Sequence, residues 1–597
     1  MLNGRLYRAA FIPFLIALGV AAFSLGSRPM PLTSTLAPEA FEGQRAFSEL
    51  QALAARYPDR RPGSPGDEAL AAHIVASIRG LSNSAGGGFT VRTVQVEGQT
   101  IEGERPLTTV IAERPGSTDA APIVIIAHRD AAAPGSYAEL SGTAALLELA
   151  RVFSTRETKR AIVLVSTSGG SGGYAGAAQL TSLLPGPLDA AIVLGDLAGA
   201  RAHRPFVIPY SGGQGSAPLQ LQRTVADAIT QQTGTSPGSP SAVGQLAHLA
   251  FPLAAGEQAV LDARGLPSVL VQVSGERGPT AREPISEERL ASFGRSVLSA
   301  VDALDTAPDV SQSMQSGVIL QRKTVPYWAL SVLLATLLLP PLITVADGLA
   351  RARRRKLAPG RWCLWALTCA LPFLLCAVFI YILGALGVLG ATPQGAILPG
   401  ALPFDGTAVS VVIALVLVFA VSWMLWARLL ARIGLARRPD SDVAGLSVML
   451  VLVPLSFIVL LVNPFTALLL IPALHLWLLL ASPELRPRRL GSLVLLVLGV
   501  VPLLLLMAFY ARELGLGPGE VAWTAVLLVA GGQIGLGGAL LWSVGLGCAA
   551  AAALVALGSP EPAAGATAPT ESRVTIRGPI SYAGPGSLGG TESALRR

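Results

Sequence analysis

Two hydrophobic patterns divide the 597-residue chain. Residues 9–27 (AAFIPFLIALGVAAFSLGS) are an uncharged run of 19, preceded by Arg5 and Arg8. A helix of that length crosses about 30 Å of hydrocarbon, whereas a cleaved signal peptide has an apolar region of about 7–15 residues. The run reads as a retained signal anchor, followed by a Pro/Thr/Ser linker over 28–40. Between 41 and 305 the pattern is that of an α/β domain. FSELQALAARY and EALAAHIVASIRGL have helical apolar spacing, and FTVRTVQV alternates as a strand. APIVIIAH, RAIVLVSTS, DAAIVLGDL and PSVLVQV are continuous apolar runs, as expected of strands buried on both faces. SGTAALLELARVF is an amphipathic helix between two of them, and 286–305 reads as a closing helix capped by Ser286. Strands alternating with helices predict a doubly wound, mostly parallel sheet, with functional residues at the strands' carboxyl ends.

After a linker over 306–324 the chain is apolar through 558. Spans are predicted near 325–346, 362–388, 406–427, 444–462, 465–481, 490–510 and 521–545. The run 521–558 is about 57 Å long as one helix, too long for one span. Gly535, Gly537 and Gly538 are the expected break, so this bundle holds seven or eight helices. Residues 559–597, rich in Gly, Pro, Ser and Thr, read as a disordered tail.

Composition agrees with this division. The chain is 51% hydrophobic and 14% charged, against about 25% charged in soluble domains. Residues 28–324 hold 24 basic and 27 acidic side chains, so the overall +7 marks no nucleic-acid binder. The basic excess lies in the loops 351–361, 428–438 and 486–489, which together hold 13 Lys and Arg. Their alternation with acidic or neutral loops predicts a cytoplasmic N-terminus and residues 28–324 outside. The few Asn and the excess of 41 Arg over 3 Lys lean towards a bacterial plasma membrane. All four cysteines lie in apolar runs, so the exported domain has neither disulfide nor thiolate metal site.

Candidate chemistry sits at two strand ends. His128-Arg129-Asp130 follows PIVIIA, and Asp196 ends AAIVLGD. A His with a carboxylate two residues away suits a metal ligand and its supporting group. The glycine turn Ser168–Gly173 lacks the Lys of a phosphate-binding loop, and no GxSxG surrounds Ser141. His73, His203 and His248 lack ligand spacing, and His475, alone in a span, reads as packing.

The blocks RYPDRRPGSPGDEALAAHI, IVIIAHRDAAAPGSYAELSGTAALLELARVF, IVLVSTSGGSGGYAGAAQL, AAIVLGDLAGA and VLDARGLPSVLVQV resemble, in order and spacing, the M28 family of zinc aminopeptidases. The resemblance covers about residues 41–305 and implies a phosphorylase/hydrolase-like α/β/α fold with a two-zinc site. The anchor and bundle also resemble the architecture of the endoplasmic-reticulum metallopeptidases and of the Gaa1-type subunit of GPI transamidase. By this resemblance His128 and Asp196 match two ligands of one zinc, with Asp130 supporting. The bridging carboxylate is replaced by Ala138, the general base and its adjacent ligand by Gly170 and Ser171, and the last His by Gln258. Glu139 and Glu257 stand beside replaced positions as possible substitutes. The expectation is a domain without cofactor that binds a peptide or protein in the old substrate cleft. The alternatives are a membrane-bound metallo-aminopeptidase whose zinc site is reduced or displaced, and an assembly subunit handling lipid-linked substrates. Membrane lipid is the other expected partner.

Overall fold

The computed structural model describes residues 4–558 except 35, 86–87, 185–187, 239–240, 308–316, 390–394, 398–399, 433–441 and 482–488. The expected tail at 559–597 and most of the basic loops at 428–438 and 486–489 lie outside the described residues.

Seven strands form the central sheet: β1 (Thr90–Thr100), β2 (Gly103–Arg114), β3 (Ile123–His128), β4 (Ile162–Thr167), β5 (Ala190–Leu194), β6 (Val207–Ile208) and β7 (Ser268–Val271). Their order is β1-β2-β4-β3-β5-β7-β6. The inner four, β4, β3, β5 and β7, are parallel. Antiparallel pairing joins β1 to β2, β2 to β4 and β6 to β7. The expected parallel sheet is therefore the centre of a mixed one.

The apolar run of β3 explains its place. Successive side chains point to opposite faces, so Ile123, Ile125 and Ala127 join one core with the helices Gly43–Arg56, Tyr137–Thr155 and Glu287–Thr306. Val124 and Ile126 join a second core on the other face. Ser286 caps the closing helix by accepting from the Arg289 amide. A small sheet pairs Gly26–Ser27 with Lys323–Val325, and the latter with Val318–Ile319, so the chain enters and leaves the domain at one point.

Among the described residues, seven helices are long and apolar enough to cross a membrane: Gly4–Phe23, Tyr327–Arg354, Pro359–Ala385, Gly406–Arg432, Val443–Val462, Arg489–Glu513 and Leu536–Leu557. The protein thus has the helices of an integral membrane protein. Pro464–Leu480 and Pro518–Ala530 are apolar but shorter. The long run at 521–558 breaks over 531–535, where Gly532 takes φ +79°; Gly537 and Gly538 are helical. His475 is not isolated, since Tyr7 Oη lies 2.7 Å from its Nδ1 and ties the first helix to Ile471–Ala481.

Candidate functional site

The chain passes from β3 through the helix Tyr137–Thr155 to β4 on one side of β3, then to β5 on the other. The carboxyl ends of β3 and its neighbours therefore diverge and leave a crevice at the switch point. His128 ends β3, opposite Thr167 of β4. Asp196 lies two residues beyond β5.

The helix after β3 is fixed to these strand ends. Ser141 Oγ accepts from the Leu197 amide at 2.8 Å, and Thr143 Oγ1 donates to the His128 carbonyl at 3.0 Å. A Cβ on Gly142 would lie 2.5 Å from the Leu194 carbonyl oxygen. The Ser141-Gly142 pair is thus a packing element that holds Ala138 and Glu139 near His128.

On the opposite wall the turn Ser168–Gly173 uses glycines at φ +83° (Gly169) and +85° (Gly173), a left-handed backbone that favours glycine. The Asp130 carboxylate accepts from the Gly170 amide at 2.9 Å, and from the amide and hydroxyl of Ser171 at 2.9 and 2.5 Å. The carboxylate assigned to supporting His128 thus binds the turn that carries two of the replaced positions. A Cβ built on Gly170 would lie 2.3 Å from His128 Cβ and 2.5 Å from Cγ. The imidazole fills the space a side chain at 170 would need. Beneath it, fully buried Arg129 pairs with fully buried Asp67 at 2.8 Å, and Asp67 also accepts from Ser168 Oγ at 2.6 Å.

The remaining candidates are acidic and shielded. Asp196 accepts from the amides of Ala198 and Gly199 at 3.0 and 2.7 Å, yet burial pushes its carboxyl up to about 6. Burial pushes Glu139 to about 7, opposed by His128 and reinforced by Asp130, and its Oε2 has no hydrogen-bond partner. Glu257 is raised by burial too; Thr167 donates to its Oε1, and its Oε2 is unpartnered. Gln258 Nε2 donates to the Ala255 carbonyl at 3.0 Å, while its Oε1 has no partner. His128, Glu139, Gly170, Ser171 and Asp196 line one cavity of about 370 Å³; Glu257 and Gln258 lie behind its wall.

Zinc requires three or four ligands converging on one point. Among the described residues no three His, Cys, Asp or Glu side chains are so grouped. The donor set does not fit the two-zinc centre.

Residues 109–248 match the family model for peptidase family M28. The chain carries an M28 peptidase domain. Over 191 residues it is 30% identical to "Probable zinc metalloprotease" of Pyrenophora tritici-repentis, a match covering 28% of this chain and 39% of that relative's length. Solved structures similar to the M28 domain include LapB from Legionella pneumophila (17% identity, TM-score 0.38, 48% of this chain and 79% of that one). Glutaminyl cyclase from Porphyromonas gingivalis is another (15% identity, TM-score 0.32, 44% and 98%).

The cavity of the M28 domain has a second end that sequence reasoning missed. Glu276 and Arg277 line it, with Ala396, Ala401, Leu514–Leu516 and Glu520 from the membrane-helix region. Glu276 follows β7 in the turn SGERG, where Gly275 takes φ +65°. The glycine-flanked charge pair after a buried strand was the available signal. His248, read from sequence as an ordinary loop or helix residue, is buried against it.

Proposed function

We propose that the M28 domain of this membrane protein is a non-catalytic module that binds a peptide or a protein terminus in the former substrate cleft. One observation carries the reading: His128 occupies the space above Gly170 that a side chain at the general-base position requires. Peptide hydrolysis needs a base to take a proton from water and an electropositive centre at the carbonyl, and proton transfer alone contributes about 10²–10⁴-fold. Glycine supplies no base, and the neighbouring carboxylate Asp130 is engaged with the turn. What remains is a cavity of mixed polar and apolar lining bounded by the M28 domain and the membrane region. We place residues 28–324 outside the membrane, on the basis of the basic loops. Purified full-length protein should retain tripeptides in equilibrium dialysis and return them intact. Failure to retain any peptide would overturn the reading.

A second reading has its own support. Glu139 is electrostatically coupled to His128 and Asp196, and its Oε2 is free. That reading is a metallo-aminopeptidase with a displaced site, in which Glu139 would act beside His128 and Asp196, although the three are not grouped around one point in this structure. Release of amino-terminal residues, abolished by Glu139→Gln, would establish it in place of the first.

A further inference from the structure

The far end of the cavity holds a carboxylate that the old peptidase chemistry does not use. Glu276 is 3% exposed, and its Oε2 has no partner. Its Oε1 lies 3.1 Å from His248 Nε2. His248 sits on the helix Ala242–Ala250, with Tyr210 stacked on its ring at 3.6 Å between centroids. On its other side Nδ1 lies 3.2 Å from Tyr510 Oη, and Tyr510 belongs to the span Arg489–Glu513. Tyr510 donates its one proton to the Phe251 carbonyl at 2.6 Å. Towards His248 it can therefore only accept, so Nδ1 carries a hydrogen. The contact between Nε2 and Oε1 then holds one further proton, and both imidazole nitrogens are committed. Glu276 is oriented by a three-residue chain, and one carboxylate oxygen remains over.

We propose that Glu276 receives the ammonium group of the ligand in this cleft, with His248 and Tyr510 as positioning residues that tie the occupied cleft to the span Arg489–Glu513. The inference rests on the peptide-binding reading and names its recognition chemistry. An acceptor of this kind suits an N–H donor bearing positive charge, because hydrogen bonds to ionised groups exceed neutral ones. The cavity wall favours a cation, since its acidic residues are Glu139, Asp196, Glu276 and Glu520, against His128 and the exposed rim residue Arg277. A metal ion at this end would need several ligands, and His248 has no nitrogen to offer. An ammonium group needs only acceptors.

The test uses the full-length protein in detergent and two probes: an equimolar pool of tripeptides with free amino termini, and the same pool N-acetylated. The free pool should bind more tightly by about tenfold or more, the range for a hydrogen bond to a charged group. Glu276→Gln, nearly isosteric, should bring the ratio close to one while leaving acetylated binding unchanged. Tyr510→Phe should lower the ratio without touching the ligand. Equal binding of the two pools by the wild type overturns the inference and leaves the peptide-binding reading standing. A ratio unchanged in Glu276→Gln also overturns it. Binding of neither pool overturns both. Should Glu276→Gln fail to fold, the wild-type comparison decides alone.

Discussion

The wall formed by the turn Ser168–Gly173 and a second set of polar groups, Glu139, Glu257 and Gln258, differ in how their polar atoms are paired. On the wall of the turn Ser168–Gly173, Asp130 takes the amides of Gly170 and Ser171, and Asp67 takes Arg129 and Ser168. Outside these contacts, Glu139, Glu257 and Gln258 each keep one side-chain oxygen with no partner. A buried, satisfied network holds one geometry, whereas an unpartnered buried acceptor carries a desolvation cost and stays available to a donor. Gly170 and Ser171 thus belong to a closed first wall held by Asp130. The second set keeps buried acceptors without partners.

The largest expected effect breaks the first wall. Asp67→Ala leaves Arg129 buried and uncompensated, and loss of one partner of a buried pair costs about 3–5 kcal/mol. Thermal unfolding of the purified protein should show a large fall in midpoint. An unchanged midpoint would mean that the pair is not what secures this wall.

Gly170→Ala should come next. Its Cβ enters the space of His128 at 2.3 Å, and overpacking of this kind costs about 1–3 kcal/mol. The same clash implies that Glu at 170 returns no base unless His128 moves. A variant as stable as wild type would show that the imidazole yields freely.

Within the second set, Glu139 should respond to pH. Glu139 is held up to about 7, above its ordinary value of 4.5. The folded state then binds more protons than the unfolded one between those values, so stability falls as pH rises from 4.5 through 7. Glu139→Gln should narrow the difference in unfolding free energy between pH 5 and pH 8, by an amount on the order of 1–2 kcal/mol. An unaltered difference would place the titration elsewhere.

Much of this was legible in the chain. PIVIIA reads as a doubly buried strand because both faces carry apolar residues, and that places His128 at a strand end. AAIVLGD places Asp196 by the same logic, and the strand order puts the two on neighbouring parallel strands. The engagement of Asp130 was not legible, because a carboxylate two residues from His128 offers the same pattern whether it serves the imidazole or a turn 40 residues away. Glu276 escaped because its environment comes from His248, 28 residues away, and from Tyr510, a further 262 residues along the chain. Contacts at such separations leave no periodicity. The break expected at Gly535, Gly537 and Gly538 in the last long apolar run includes Gly535, but Gly537 and Gly538 are helical, and only Gly532 takes a left-handed backbone.

The central claim is that the M28 domain binds without hydrolysing. Elemental analysis of the purified full-length protein, paired with an aminopeptidase assay on the same sample, tests it most directly. A non-catalytic domain should hold no stoichiometric zinc and release no amino acids. One or two zinc ions per chain, with hydrolysis abolished by His128→Ala, would contradict it.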